Sequence, residues 1–232
     1  MSSKHKLALI FVAGGTGSRM QSATPKQYLH LNKKPIFEYS LNVFGTMPNV
    51  EEIVVVCAPQ YQPAFLRFTY SHKIKFAAPG KRRQDSVYNG FNAVSSSPQF
   101  IAVHDAVRPF ISHDLVNRVL GAATTHGAAT AAMPVKFTVK ESNSNGIVVK
   151  TPDRSLIWEI QTPQIIETTL LKNAFSHALK HDLTVTDDVS LVELLNLPVK
   201  LVEGCYRNLK ITTPDDLDIA NAFLKESKKS EI

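Results

Sequence analysis

The chain reads as an α/β protein: a Rossmann-like, doubly wound, mostly parallel (mixed) sheet with a protruding β-hairpin arm. Three observations predict this. Short apolar runs alternate with stretches of helical period, the pattern of strands joined by crossover helices. The first run, Leu7-Ala8-Leu9-Ile10-Phe11-Val12, leads directly into a turn containing Gly14, Gly15 and Gly17. Later, Asn143-Ser144-Asn145-Gly146 breaks the alternation between two strand-like segments, a strong hairpin signal. The length, 232 residues, suits one ordinary domain with a core of its own. Residues 1–232 are therefore read as a single domain, with residues 136–160 as the arm.

Each element has a local reason. Leu7 to Val12 is wholly apolar, which suits a strand buried on both faces. Pro35 pre-sets the start of a helix with apolar residues at Ile36, Tyr39, Val43, Phe44 and Met47. Glu52 to Cys57 is the second strand, Gln60 to Tyr70 a weaker helix, and Lys73 to Ala77 the third strand. The segment Pro79-Gly80-Lys81-Arg82-Arg83-Gln84-Asp85-Ser86 runs into a helix through Val94. Phe100 to His104 is the fourth strand. Ser112 has the side chain of an N-cap, and the helix after it aligns Leu115, Val116, Val119 and Leu120. Ala128 to Pro134 is a further strand, and Lys136 to Lys140 with Ile147 to Thr151 form the hairpin. An arm with so little core packs on something, and a second copy of the chain is the expected partner; a free hairpin is the alternative. Thr168 to Lys180 is a helix with Leu171, Ala174, Phe175 and Ala178 inward. Thr186-Asp187-Asp188 opens another, with Val189, Val192 and Leu195 apolar. Val199 to Val202 and Asn208 to Ile211 read as strands. The last helix starts at Thr213-Pro214-Asp215-Asp216, with a threonine cap, proline in the first position and acids in the first turn.

Composition narrows the function. Hydrophobic residues are 44% and charged residues 20%, as in a soluble globular protein. No run approaches the roughly 20 apolar residues of a membrane span. Only Met1 to Lys6 precede the first strand, which leaves no room for a signal or transit peptide and predicts a cytoplasmic location. The net charge of +6 suits nucleic acid or an anionic small ligand. Part of that excess lies in the tail, at Lys225, Lys228 and Lys229, and no basic stripe is interleaved with aromatics. Neither nucleic acid nor a membrane is an expected partner. Cys57 and Cys205 lack metal or redox spacing and read as reduced, buried thiols.

The glycine turn is followed by Arg19 and Lys26. Glycines let backbone N–H groups approach an anion closely, and the cations add charge that amides lack. Two familiar phosphate patterns fail here. Gly17-Ser18-Arg19 does not supply the Gly-Lys-Ser/Thr of a Walker loop. The dinucleotide fingerprint needs glycine where Met20 stands, and an acid after the second strand, where Cys57-Ala58-Pro59 stands. A nicotinamide cofactor is not expected. A plain βα turn that binds nothing is the simpler reading, and the two cations weigh against it. If the first three strands run outward on one side, the fourth begins the other, and ligands bind at that switch point. The strand ends that meet there carry Ala13 to Arg19 and Asp105. An acid beside a polyphosphate is a natural magnesium ligand, though Asp105 also reads simply as a turn-former.

Five stretches carry a resemblance: AGGTGSRM with PKQY, PGKRRQDSV, HDAVRP, TPDRSLIWEIQTPQ, and TDDVS followed by NLKITTPDDL. In this order, from Leu7 to Leu224, they resemble the 2-C-methyl-D-erythritol 4-phosphate cytidylyltransferases, within the sugar-phosphate cytidylyltransferases. The resemblance implies transfer of CMP from CTP to a polyol phosphate, methylerythritol phosphate, with magnesium (Mg2+) as divalent cation. It also implies a homodimer joined through the arm. Arg19 and Lys26 match residues that stabilise the transition state, and Arg154 and Lys210 match cations that position the acceptor. Ala13, Gly14, Gly15, Gly17, Gly80, Ser86 and Ala106 match the nucleotide site, and Asp105 the acid near magnesium. Arg108, Thr138, Thr162 and Thr186 match supporting contacts to the acceptor. Thr138 and Arg154, on the arm, would serve the neighbouring subunit. The chain departs from the family at three points. Gly14 stands where alanine is common, Lys81 where an acid often sits, which puts a base or ribose contact in question, and Val107 where alanine is common. The valine is also familiar in ribitol 5-phosphate cytidylyltransferases, which are the alternative reading. A nucleotide-binding module without turnover is the alternative from another class.

Overall fold

The computed structural model describes residues 5–17, 20 and 22–229. In chain order its elements are β1 (Leu7–Val12), β2 (His30–Leu31), β3 (Lys34–Pro35), α1 (Ile36–Thr46), β4 (Val50–Val56), β5 (Ile74–Ala77) and α2 (Arg83–Ala93). They continue with β6 (Phe100–Asp105), α3 (His113–His126), β7 (Ala128–Pro134), β8 (Glu141–Ser142), β9 (Val148–Lys150) and β10 (Trp158–Glu167). The chain closes with α4 (Thr168–Lys180), α5 (Ser190–Glu193), β11 (Lys200–Glu203) and α6 (Pro214–Lys229).

The alternation of side chains along β1 builds two hydrophobic layers. Leu7, Leu9 and Phe11 pack with Phe37, Leu41 and Phe44 of α1 and Leu115, Val116 and Val119 of α3. Ala8 and Ile10 face the other way, onto Val87 of α2 and Leu171, Ala174 and Phe175 of α4. A strand clothed on both faces has to be apolar throughout, as this one is. Caps fix the helix ends: Ser112 Oγ accepts from Leu115 N at 3.2 Å, and Gly127 ends α3 at φ 81°. At α6 the Asp216 carboxylate reaches back to the N–H groups of Thr212 and Thr213.

The seven strands run in the order β11-β7-β10-β6-β1-β4-β5. β1 lies between β4 and β6, parallel to both, with Val12 opposite Asp105. The second and fourth strands of the sequence reading thus flank the first. The switch point falls where expected, between the ends of β1 and β6.

Several expectations are corrected. β10 is a ten-residue strand, antiparallel to both β6 and β7, in a stretch read only as a motif and the arm's end. Its polar Gln161-Thr162-Pro163-Gln164 centre hides the strand pattern, and its register with β7 shifts there, where Pro163 has no N–H to give. Asn208 to Ile211 is a loop, fastened by Ile211 N to Val107 O at 2.9 Å. In place of an α-helix over Gln60 to Tyr70, Pro59–Phe65 forms a 3-10 helix with Pro63 inside it, and turns follow to Tyr70. The helix expected from Thr186 is confined to Ser190–Glu193. Cys57 is buried as expected, but Cys205 is exposed. The hairpin is present as β8 and β9, its turn held by Asn143 Oδ1, which accepts from Asn145 N and Ile147 N at 3.0 Å. Its apolar residues are bare: Phe137 is 81% and Leu156 74% exposed. Trp158 to Ile160, the last residues assigned to the arm, already pair with β7. Among the described residues, no helix is long and apolar enough to cross a membrane.

Candidate active site

A cleft of about 350 Å³ opens at the carboxyl ends of β1 and β6. The glycine turn forms one wall, and Lys26 and Gln27 support it. Gly80 to Arg83 and Ser86 form a second wall, at the start of α2. Asp105 and Val107 follow β6, and Lys210 enters from the loop before α6.

Buried Gln27 shapes the first wall. Its side-chain amide donates to Ala13 O at 2.6 Å and Gly15 O at 2.9 Å, and Tyr28 OH adds a bond to Ala13 O at 3.2 Å. Two carbonyls are thereby engaged by a donor, which lessens their repulsion of an anion. Gly17 takes φ +71°, and a Cβ there would come within 3.1 Å of Lys26 N, so glycine lets the turn close over that residue. In the second wall, Gly80 N donates to Ser86 Oγ at 2.9 Å, which in turn donates to Arg82 O at 3.2 Å. A Cβ on Gly80 would lie 2.3 Å from Asp85 Cβ, so only glycine fits.

Asp105 is the electrostatic centre. Its Oδ1 accepts from Arg83 Nε and Nη2, both at 3.1 Å, and Lys210 Nζ lies 2.8 Å from Oδ2. Burial alone would raise its pKa, but Arg83, Lys210 and Arg108 outweigh it and hold the carboxyl well below the ordinary range. Arg83 also meets Asp188 in a bidentate contact at 2.9 and 2.8 Å. Burial pushes the Asp188 carboxyl up, against the adjacent guanidinium. For Arg83 burial works against the cation, yet the two carboxylates prevail and raise its pKa, and the paired contact keeps the group ionic. Behind Asp105, fully buried His104 bonds Thr162 Oγ1 through Nδ1 at 3.0 Å and Arg108 O through Nε2 at 3.2 Å. Burial lowers its pKa to about 4, so the ring is neutral, with Nε2–H donating and Nδ1 accepting.

A phosphate-shaped turn, a cation-ringed acid and a basic loop thus meet at one topological switch. The profile of the 2-C-methyl-D-erythritol 4-phosphate cytidylyltransferase family (IspD) matches residues 7–226. The chain belongs to this family. It is 45% identical over 225 residues to the rice enzyme of that name, described as chloroplastic, covering 96% of this chain and 76% of the relative. The Syntrophus aciditrophicus enzyme is 42% identical over 231 residues, covering 97% and 98%. Among solved structures, 4-diphosphocytidyl-2C-methyl-D-erythritol synthase from Anaerococcus prevotii superposes with TM-score 0.84 at 28% identity, covering 95% of this chain and 99% of the other. The Thermus thermophilus cytidylyltransferase gives 0.79 at 32% identity, with the same coverage. These relatives carry the methylerythritol name, so the ribitol 5-phosphate reading is set aside.

The cytidylyltransferase cleft gathers Gly14, Gly15, Gly80, Ser86, Lys26, Asp105 and Lys210 from among the residues the sequence singled out. Gly14 suits this chain, since a Cβ there would lie 2.6 Å from Pro79 Cβ. Ala13 and Ala106 lie buried beside the cleft, with Ala106 N bonded to Val12 O at 3.1 Å. Thr162 faces inward: its hydroxyl accepts from Asp105 N at 3.2 Å and bonds His104. Arg108 is also buried, donating to Asn208 O at 2.8 Å and Ile160 O at 3.4 Å. Thr186 is exposed and outside the cleft lining. Thr138 and Arg154 are exposed on the arm, where Arg154 donates to Lys136 O at 3.0 Å, away from this chain's own cleft. Arg19 lies outside the described residues.

The sequence reading passed over Arg83, Asp188 and Gln27. A signal existed for the first. A cation on the first residue of α2 opposes the helix dipole and calls for a specific anionic partner.

Proposed function

We propose that the cleft transfers CMP from CTP to 2-C-methyl-D-erythritol 4-phosphate, releasing pyrophosphate and forming 4-diphosphocytidyl-2-C-methyl-D-erythritol. The observation that carries this is the meeting of the glycine turn, Lys26, Lys210 and Asp105 in one cleft of a chain of this family.

An acceptor phosphate oxygen attacks the α-phosphorus of CTP. A new P–O bond forms, and the bond to the bridging oxygen of the β-phosphate breaks as pyrophosphate leaves. A phosphate monoester with second pKa ~6 is largely dianionic at neutral pH, so no general base is needed. The obstacle is like charge. At about 4 Å and an effective dielectric of ~20, each pair of unit charges costs on the order of 4 kcal/mol. Lys26, at the glycine turn, and Arg19 are placed in sequence to offset that charge at the α-phosphate, and both hold the charge that develops there. Lys210 is the cation assigned to the acceptor phosphate; its ammonium rests on Asp105 and can turn to an incoming anion. A lysine suits this, because its charge is compact and its stem flexible.

Asp105 is the carboxylate lining the cleft, and the described residues hold no group of three or more metal-type side chains. A single hard oxygen donor fits Mg2+, which keeps several waters and shares itself with substrate phosphates. When bound, the ion would neutralise phosphate charge, with Asp105 as its protein ligand. The bare apolar side chains of the arm support a homodimer, in which each arm carries Thr138 and Arg154 to the neighbour's cleft. A cytoplasmic location belongs to the same proposal.

The test is an acceptor screen with CTP and magnesium, read as pyrophosphate release. Release with methylerythritol phosphate, and none without an acceptor, is expected. Release with ribitol 5-phosphate alone overturns the acceptor. CTP binding without turnover, left unchanged by Lys26→Ala, marks a nucleotide-binding module instead.

A further inference from the structure

We infer that Arg83 and Asp188 form a positioning device, in which Asp188 holds the Arg83 guanidinium and Arg83 sets the orientation of the Asp105 carboxylate. The inference rests on the functional reading above.

The geometry is specific. Four hydrogen bonds tie Arg83 to two carboxylates, two to Asp105 Oδ1 and one to each oxygen of Asp188. A guanidinium has five N–H donors, so little of it is left for a phosphate. Both bonds to Asp105 fall on one oxygen, and Lys210 meets the other. Arg83 therefore decides which edge of the carboxylate faces Lys210. Asp188 does not line the cleft and is 2% exposed. Its own backbone N and that of Val189 donate to Gln164 Oε1, at 2.7 and 3.0 Å. Gln164 is a buried residue of β10, so the chain of contacts runs from the middle of the sheet to the cleft. It also joins the segment that opens α2 to the segment before α5, which are 105 residues apart in sequence. Stability alone does not account for it. Buried ion pairs are often no more stabilising than apolar replacements, and a cation at the start of a helix is unfavourable.

Positioning and binding are told apart by kinetics. Asp188→Asn, Arg83→Lys and the double variant are compared with wild type in steady-state pyrophosphate release from CTP and methylerythritol phosphate, after thermal melts establish folding. Asp188→Asn is expected to lower kcat on the order of 10- to 100-fold, since a misplaced reacting geometry costs that much. The KM for CTP should stay within about twofold, and the double variant should be no worse than the worse single variant. Wild-type kcat in Asp188→Asn, effects that multiply in the double variant, or a KM for CTP that rises as kcat falls overturns the inference; the last makes Arg83 a nucleotide ligand. If Asp188→Asn does not fold, Arg83→Gln with Asp188→Asn removes both charges together, and the same loss or retention of kcat decides. Wild-type turnover with unchanged variants rejects this inference alone. A wild-type enzyme inactive with that substrate pair rejects the functional reading and this inference with it.

Discussion

Glu52 and Asp105 are both buried carboxylates, and they are held in opposite ways. Glu52, on β4, is 3% exposed and accepts from Ser95 N at 3.1 Å and from Ser96 N at 2.8 Å, as well as from the Ser96 hydroxyl. Lys75 adds an ion pair at 2.8 Å. Asp105 is 5% exposed and relies on the side chains of Arg83 and Lys210 and on the more distant Arg108. Both carboxyls are pulled below the ordinary range against the upward push of burial, Glu52 to about 2. The donors make the difference. Backbone N–H groups cannot leave Glu52, so that site fastens the Ser95–Ser96 segment to the sheet. A lysine on a four-carbon stem can leave Asp105 when another anion arrives. The first arrangement serves stability; the second keeps a cation available.

The sharpest way to break this contrast is Lys210→Ala. A loss of kcat on the order of 10² to 10³, with the melting temperature nearly unchanged, is expected from the proposed role of Lys210 in positioning the acceptor phosphate. A drop in melting temperature with kcat intact would make Lys210 a structural residue like the donors of Glu52. Next comes Glu52→Ala, which takes the charged acceptor from the Ser95 and Ser96 N–H groups. Urea unfolding should show about 2 to 3 kcal/mol less stability, while pyrophosphate release keeps its wild-type kcat.

The pH dependence sharpens the same point. The folded-state pKa of Glu52 is depressed, so its contribution is present above the unfolded value of about 4.3 and fades as pH falls toward about 2. Urea midpoints of wild type and Glu52→Gln should therefore differ at pH 7 and converge below pH ~4. A gap that persists at low pH would show that the charge is not what matters. The smallest effect is expected from Lys75→Ala. Its side chain is 48% exposed, and pairs of that kind contribute less than about 1 kcal/mol. Neither kcat nor KM should move.

What the sequence made legible follows from how local each signal is. β1, α1, β6, α3, β7 and α4 carry their period, caps or apolar run within a few residues, and all lie close to their expected bounds. β10 does not, because its neighbours in the sheet are supplied by distant segments, and its polar centre serves those neighbours: Thr162 serves His104 and Asp105, and Gln164 serves Asp188. Asn208 read as strand, yet it is a buried loop residue, its side-chain amide donating to Gln161 and Thr162. The site divides in the same manner. The glycine turn and Asp105 could be brought together by the switch-point argument alone, Lys26 stood out as a cation following the turn, and the family motif drew attention to Lys210. The Arg83–Asp188 contact joins residues from separate α/β units, and neither residue's local sequence names the other.

Gln27 has one more consequence. Because one buried amide grips Ala13 O and Gly15 O together, the Ala13-to-Gly15 stretch of the turn is cast before any ligand arrives. A nucleotide would meet a mould and not a flap that must close. Ordering a backbone residue costs about 1–2 kcal/mol of conformational entropy, and for these residues folding has already met that cost. Association with the nucleotide is then governed by encounter and charge, and Gln27→Glu, which sets an acceptor against two acceptors, turns the mould back into a flap.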